Sequence, residues 1–261
     1  MEPVHATNKP SGSQAIDRAG DLVRQVVDST HPLTFSDLAA SSGLAKSTAS
    51  RILNALERNG LLRRDANGVF LPGDAFVRYA LRGNTDTDLA TVAQPYLERL
   101  GELSRETINL GVVRQSVVIQ IAQVDSHYVL GGTNWLGRSE PLHATALGKV
   151  LLAFGAAELP PGRLERLTTH TIAGRSVLDA ELSNVRDLGY AVAIEELEIG
   201  LIAIAAPVHR DDGTVIAAIS VSGPSTRLDA SRIPQVGAWC VAESSALSAA
   251  LGHHEKATGA A

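Results

Sequence analysis

Cysteine occurs once in the 261 residues, as Cys240, so no disulfide can form within the chain and a reducing compartment suits it. Long apolar runs are missing: none reaches the roughly 18 residues of a membrane-spanning helix, and the opening MEPVHATNKPSGS has no apolar centre of the signal-peptide kind. A cytoplasmic protein without membrane association is expected. Metal-ligand spacing is also lacking. His127, His143, His170 and His209 are scattered, and His253-His254 falls in the last residues. A nucleophile elbow fails, because Ser222 lies in SVSGP where glycine would be needed at position 220. A P-loop fails too: in PLHATALGKVLLAF, His143 stands where the first glycine belongs and Val150 where the hydroxyl belongs. No metal, cofactor or catalytic set is expected, and Cys240, in the apolar stretch WCVAE, reads as a small buried hydrophobe.

Positive charge is scarce overall, with a net charge of −5. It is unevenly spread. Lys46, Arg51, Arg58, Arg63 and Arg64 stand against Glu57 alone between residues 43 and 64, whereas acidic side chains outnumber basic ones over residues 74 to 252. A local basic patch in an acidic chain is what a nucleic-acid footprint requires.

The patch lies on a helical pattern. Ile16, Ala19, Leu22, Val23, Val26 and Val27 form one apolar stripe, TFSDLAASSG follows as a short helix with Thr34 and Asp37 near the capping-box spacing, and LAKSTASRILNALERNG begins a third helix. On that third helix Ala49, Ile52, Leu53 and Leu56 should face the core, leaving Ser47, Arg51, Asn54 and Arg58 on the opposite side. LLRRDANGVFLPG then predicts a hairpin about Asn67-Gly68. Three helices and a hairpin make a winged helix-turn-helix. Ser47, Thr48, Arg51 and Asn54 should reach base edges in the major groove, with Lys46, Arg58, Arg63 and Arg64 on phosphates.

Residues 86–106 return to helical spacing through Leu89, Val92, Ala93, Tyr96, Leu97, Leu100 and Leu103. From 107 the texture becomes β-rich, in INLGVVR, SVVIQIAQV, HYVLGGT, YAVAIEE, LIAIAAPVH and TVIAAISVSG. Helices are expected from about Thr145, around Ala180 to Leu188, and from Ser231 to Leu251. The class is α+β. The organisation reads as a loose tail over 1–12, a winged helix-turn-helix over 13–73, a linker helix region over 74–106, a sheet domain over 107–252 and a tail over 253–261. In PLHATALGKVLLAF, a helix capped at Thr145 leaves the N–H groups of Ala146 and Leu147 and the helix dipole facing a carboxylate or similar group, while Lys149 should point away to the surface. Glu195, Glu196 and Glu198 read as solvated or paired with basic side chains.

Four stretches in order, GLAKSTASRILNALERNGLLRRD, PLHATALGKVLLAF, RDLGYAVAIEELEIGLIAIAAPV and AISVSGPSTRL, resemble the isocitrate lyase regulator (IclR) family of bacterial transcription factors over about residues 14 to 252. The resemblance implies a GAF-like effector domain after the winged helix-turn-helix, and a homodimer, sometimes a dimer of dimers, on a roughly palindromic operator. It also implies that Ala146 and Leu147 offer N–H groups to an effector carboxylate, that Ser220 and Ser222 offer hydroxyls, and that Leu142 supplies a wall. The family's common phrase has cysteine where this chain has Ala144, often aspartate at Ala193, and cysteine at Ala203. Three small apolar groups leave more room, which points to an aromatic or partly apolar acid, or a derivative, as effector. A small-acid-processing enzyme and a stand-alone ligand-binding module without DNA binding remain the alternatives.

Overall fold

The computed structural model describes residues 14–29, 31–80, 85–128 and 133–253. They fall into two compact units, divided between Thr85 and Asp86. The expected tails over 1–12 and beyond His253, and most of the strand expected at HYVLGGT, lie outside the described residues.

The first unit contains α1 (Gln14–Asp28), α2 (Phe35–Ser41) and α3 (Lys46–Arg58), then a hairpin of β1 (Leu62–Arg64) and β2 (Phe70–Pro72). Apolar spacing decides what is buried: Leu22 and Val26, Leu38, Leu53 and Leu56 meet Leu62 and Phe70 in one core. Thr34 starts α2 through a reciprocal pair. Its backbone N–H donates to the Asp37 carboxylate at 2.9 Å and its hydroxyl accepts from the Asp37 N–H at 3.3 Å, a cap worth about 1 kcal/mol. The hairpin turns where Gly68 takes a φ of 81°, which a side chain would resist.

The helical region expected over 74–106 is two helices, α4 (Asp74–Ala80) and α5 (Thr85–Ser104). The second is more than a linker. Ala93, Leu97 and Leu100 are fully buried in the core of the second unit, to which α5 belongs from Asp86 on. Apolar spacing alone could not show what the stripe packs against.

The second unit is a six-stranded antiparallel sheet. Its strands are β3 (Thr107–Arg114), β4 (Val117–Val124), β5 (Ser139–Pro141), β6 (Ala191–Ile194), β7 (Leu201–His209) and β8 (Val215–Pro224), in the order β5-β4-β3-β8-β7-β6. Strand alternation splits the two faces. Ile108 and Leu110, Ile202 and Ile204, and Ile219 and Val221 pack with α5 and with α8 (Ile233–Ala250). The opposite face carries Ala193, Ala205 and Ala218, and packs with α6 (Ala146–Ala153) and α7 (Arg175–Leu188).

The glycine-lysine pair in PLHATALGKVLLAF answers to packing. A Cβ on Gly148 would stand 2.2 Å from the Leu142 carbonyl oxygen, so only glycine lets the 3-10 turn Leu142–Ala144 fold back against α6. Lys149 corrects the expectation of a surface side chain. It is fully buried, and its ammonium donates to Glu196, to the Val192 carbonyl at 3.0 Å and to Glu181 at 3.4 Å. Burial pushes the Glu196 carboxyl above its ordinary range, and the Lys149 charge opposes that shift. Removing one member of a buried pair strands the other. Lys149→Met should therefore lower the unfolding free energy by about 3–5 kcal/mol in urea titrations, with much of the loss recovered in Lys149→Met/Glu196→Leu. A loss below about 1 kcal/mol in the single variant would show the pair to be dispensable.

Candidate functional site

The exposed side of α3 carries Lys46, Ser47, Arg51, Asn54 and Arg58, with Thr48 half-buried and Ala49, Leu53 and Leu56 facing the core. Arg63 and Arg64 lie on β1 and are both exposed, but they differ. Arg64 donates to Glu57 at 2.9 Å and lies 4.4 Å from the centre of the Phe70 ring, so its charge is partly met inside the unit.

In the second unit a cavity opens at the N-terminus of α6. Its floor is built strand by strand across the sheet. Glu140 comes from β5, Gln120 from β4, Asn109 from β3, Ser220 and Ser222 from β8, Ala203 from β7 and Ala193 from β6. Register makes this row: Asn109 stands opposite Ser220, Ala203 opposite Ser222, and Ala193 opposite Ala203. Ala144, Thr145, Ala146 and Leu147 close one side, and Trp135, Leu197 and Leu201 complete the wall. About 410 Å³ of space lies between these walls, part of it open to solvent at the mouth.

Seven of the eight residues named from sequence line this cavity: Ala144, Ala146, Leu147, Ala193, Ala203, Ser220 and Ser222. Leu142 does not. The 3-10 turn sends it into the cluster beneath α6 with Val118 and Leu178, so it supports the wall without forming it. Thr145 caps α6 by accepting from the Gly148 N–H at 3.0 Å, leaving Ala146 and Leu147 ahead of the first intrahelical bonds.

Sequence reading missed the polar floor. Asn109 donates to the Ser222 hydroxyl at 3.1 Å, yet among the described residues its carbonyl oxygen has no partner, and the Gln120 carbonyl oxygen has none either. The signal was present in INLGVVR and VVIQIAQV, where amides interrupt the small and apolar residues on that face of the sheet: Asn109 on the first strand, and Gln120 with Gln123, which stands opposite Asn109, on the second. Glu140 gave no signal because its three-residue strand was unrecognised. Leu197 lies in a segment held by threonine hydroxyls: Thr168 donates to the Glu195 carbonyl and Thr171 to the Glu196 carbonyl, each at 2.7 Å. Glu195 takes a φ of 56° and pairs with His170 at 3.5 Å, Glu196 is the buried partner of Lys149, and Glu198 is exposed. Cys240 is fully buried, and burial pushes its thiol up to about 12, far from thiolate chemistry.

Burial raises the Glu140 carboxyl above its ordinary range, against the Gln120 hydrogen bond and the Arg138 charge. A raised acid binds more protons in the folded than in the unfolded state, so its contribution is fully present below the unfolded value and is lost as pH rises through the folded one. Glu140→Gln removes that loss. The variant should melt above the parent at neutral pH and lose the advantage at acid pH. Equal melting shifts at both would show Glu140 well solvated.

Comparisons with known proteins agree with this division. The C-terminal domain model of IclR bacterial transcriptional regulators matches residues 84–249, and the IclR helix-turn-helix domain model matches residues 15–66. The HTH-type transcriptional repressor AllR of Escherichia coli K12 is 32% identical over 255 residues, covering 92% of this chain and 91% of AllR. Among solved structures, the Agobacterium tumefaciens repressor BlcR aligns with a TM-score of 0.69 at 26% identity, over 94% of this chain and 100% of that one. An IclR homolog of Microbacterium hydrocarbonoxydans, complexed with 4-hydroxybenzoate, aligns with a TM-score of 0.57 at 25% identity, over 91% and 99%. A helix-turn-helix unit with a basic outer helix face, followed by a sheet unit holding a cavity, thus places the chain in the IclR family of bacterial transcriptional regulators.

Proposed function

We propose that this regulator binds its operator through α3 and the β1–β2 wing, and that a small organic acid or a derivative of one, held in the α6 cavity, modulates that binding. The carrying observation is the row of small and polar residues beneath the α6 N-terminus, where two backbone N–H groups and the helix dipole favour an electron-rich group. Ala193 and Ala203 make the β6–β7 end apolar, which supports a ligand with an aromatic or otherwise apolar part; the relative complexed with 4-hydroxybenzoate is a precedent for such a class.

A homodimer on a roughly palindromic operator fits the surface of the first unit, where Ile16 is 73% exposed and Val77 and Tyr79 about half exposed. The work is that of a cytoplasmic regulator, and no helix among the described residues is long and apolar enough to cross a membrane.

On DNA, Arg51→Ala should relax base preference. Arg63→Ala should weaken all sequences alike and lower the salt slope by about one, because Arg63 is exposed and finds no carboxylate among the described residues of the kind Arg64 finds in Glu57. Binding across an operator library at several salt concentrations separates the two, and base preference following Arg63 instead of Arg51 would reverse the assignment. For the effector, Ala203→Phe fills the apolar end and should abolish ligand-induced thermal shifts while operator affinity stays intact. Shifts that survive Ala203→Phe would place the effector elsewhere.

A further inference from the structure

The cavity floor is not uniform. From β5 to β6 it runs Glu140, Gln120, Asn109, then serines, then Ala203 and Ala193, so one end gathers hydrogen-bond acceptors and the other is apolar. The first three side chains are more than nine-tenths buried, at 6%, 4% and 2% exposure. Two carry carbonyl oxygens that accept nothing from the described residues. A buried acceptor without a donor is costly, and a cluster of them beside a carboxylate repels a second carboxylate.

We propose that Glu140 is a specificity-determining residue and that, with Asn109 and Gln120, it selects effectors that bring an O–H or N–H donor: hydroxy acids, or acids carrying an amide, over their unsubstituted counterparts. The proposal rests on the α6 cavity being the effector site and says which chemistry it takes. The geometry divides the ligand's polar groups. An electron-rich group meets the N–H groups of Ala146 and Leu147, its donor meets the acceptors on β5, β4 and β3, and any apolar part lies over Ala203 and Ala193. Asn109 is oriented for this role, because one of its two N–H groups is engaged with the Ser222 hydroxyl and its oxygen is left over. Burial, which disfavours the charged form of Glu140, adds to the reward for a ligand that donates to it. A site that hydrogen-bonds a hydroxyl rejects the analogue lacking it far more strongly than an apolar pocket rejects a missing methylene.

Calorimetric titration of the full-length protein with matched pairs tests this: lactate against propionate, and 4-hydroxybenzoate against benzoate. In each pair that binds, the hydroxylated member should bind roughly tenfold or more tightly. Glu140→Leu should bring that ratio close to one, and Glu140→Gln, which keeps an acceptor oxygen, should retain part of it. Circular dichroism melting checks that both variants fold; if Glu140→Leu does not, the Glu140→Gln ratio decides, and an unchanged ratio there overturns the proposal. Equal affinities in the parent protein, or a preference that persists in Glu140→Leu, also overturn it. So does tighter binding of the unsubstituted acid that strengthens at lower pH, since Glu140 would then be donating. Ala203→Phe separates the two levels. If it leaves all titrations unchanged, or if no member of either pair binds the parent, the cavity reading fails; if it abolishes binding while the Glu140 variants keep the parent's ratio, only the donor selection fails.

Discussion

Lys149 sealed against Glu196 is the interaction on which the second unit's site depends. The ammonium leaves α6 and reaches the β6 carbonyl of Val192 and the segment just beyond that strand. Leu197 follows immediately on Glu196, and Leu201 begins β7, so the residues that wall the cavity are anchored to the helix whose N-terminus forms its rim. Thr168 and Thr171 hold the same segment from the other side through its carbonyls. A buried ion pair is weak evidence for stability, since apolar replacements often do as well. Its better use is to specify one arrangement, and here the arrangement is the position of a cavity wall.

Legibility in the sequence followed the range of the forces involved. Local signals were readable: the Thr34–Asp37 capping box, the turn at Asn67-Gly68, the two faces of α3 and the Thr145 cap of α6 all lie within a few residues of their partners. Partners distant in sequence were not. Glu196 stands far along the chain from Lys149, and nothing in ALGKVLLAF shows that the lysine has a buried carboxylate waiting. The same holds for α5, whose stripe of Ala93, Leu97 and Leu100 announced a buried face and not the sheet against which it is buried. Leu142 failed for a geometric reason: in a 3-10 turn, neighbouring residues diverge steeply, so Ala144 lines the cavity while Leu142 two positions earlier enters the core.

Charge shows the same distinction between total and placement. A net charge of −5 gives no hint of a nucleic-acid partner, yet the exposed side of α3 carries Lys46, Arg51 and Arg58 with no acidic side chain among them. Glu57, the carboxylate of the same helix, is turned to Arg64. That contact, with the stacking on Phe70, ties the wing strand to the helix and leaves Lys46, Arg51, Arg58 and Arg63 exposed.

Strand alternation explains how one sheet can keep a fold and change a ligand. Residues facing α5 and α8 interlock in a close-packed core, where a change in volume is felt by many neighbours. Residues facing the cavity border empty space, and each comes from a different strand or from the other face of a strand already fixed by its apolar side. Substitution at Glu140, Ala193 or Ala203 therefore alters what the cavity accepts without touching the core under α5 and α8, although Ala193 and Ala203 also pack with the cluster under α6 and α7. The same reasoning predicts the limits of that freedom. Gly111 and Gly148 border the same region, but a Cβ on Gly111 would come within 2.9 Å of Leu147 and Val118, and one on Gly148 would strike the Leu142 backbone. Variation at the cavity is thus confined to the floor positions, while the backbone crossing of Gly148 over Leu142 that sets the α6 N-terminus at its rim allows none.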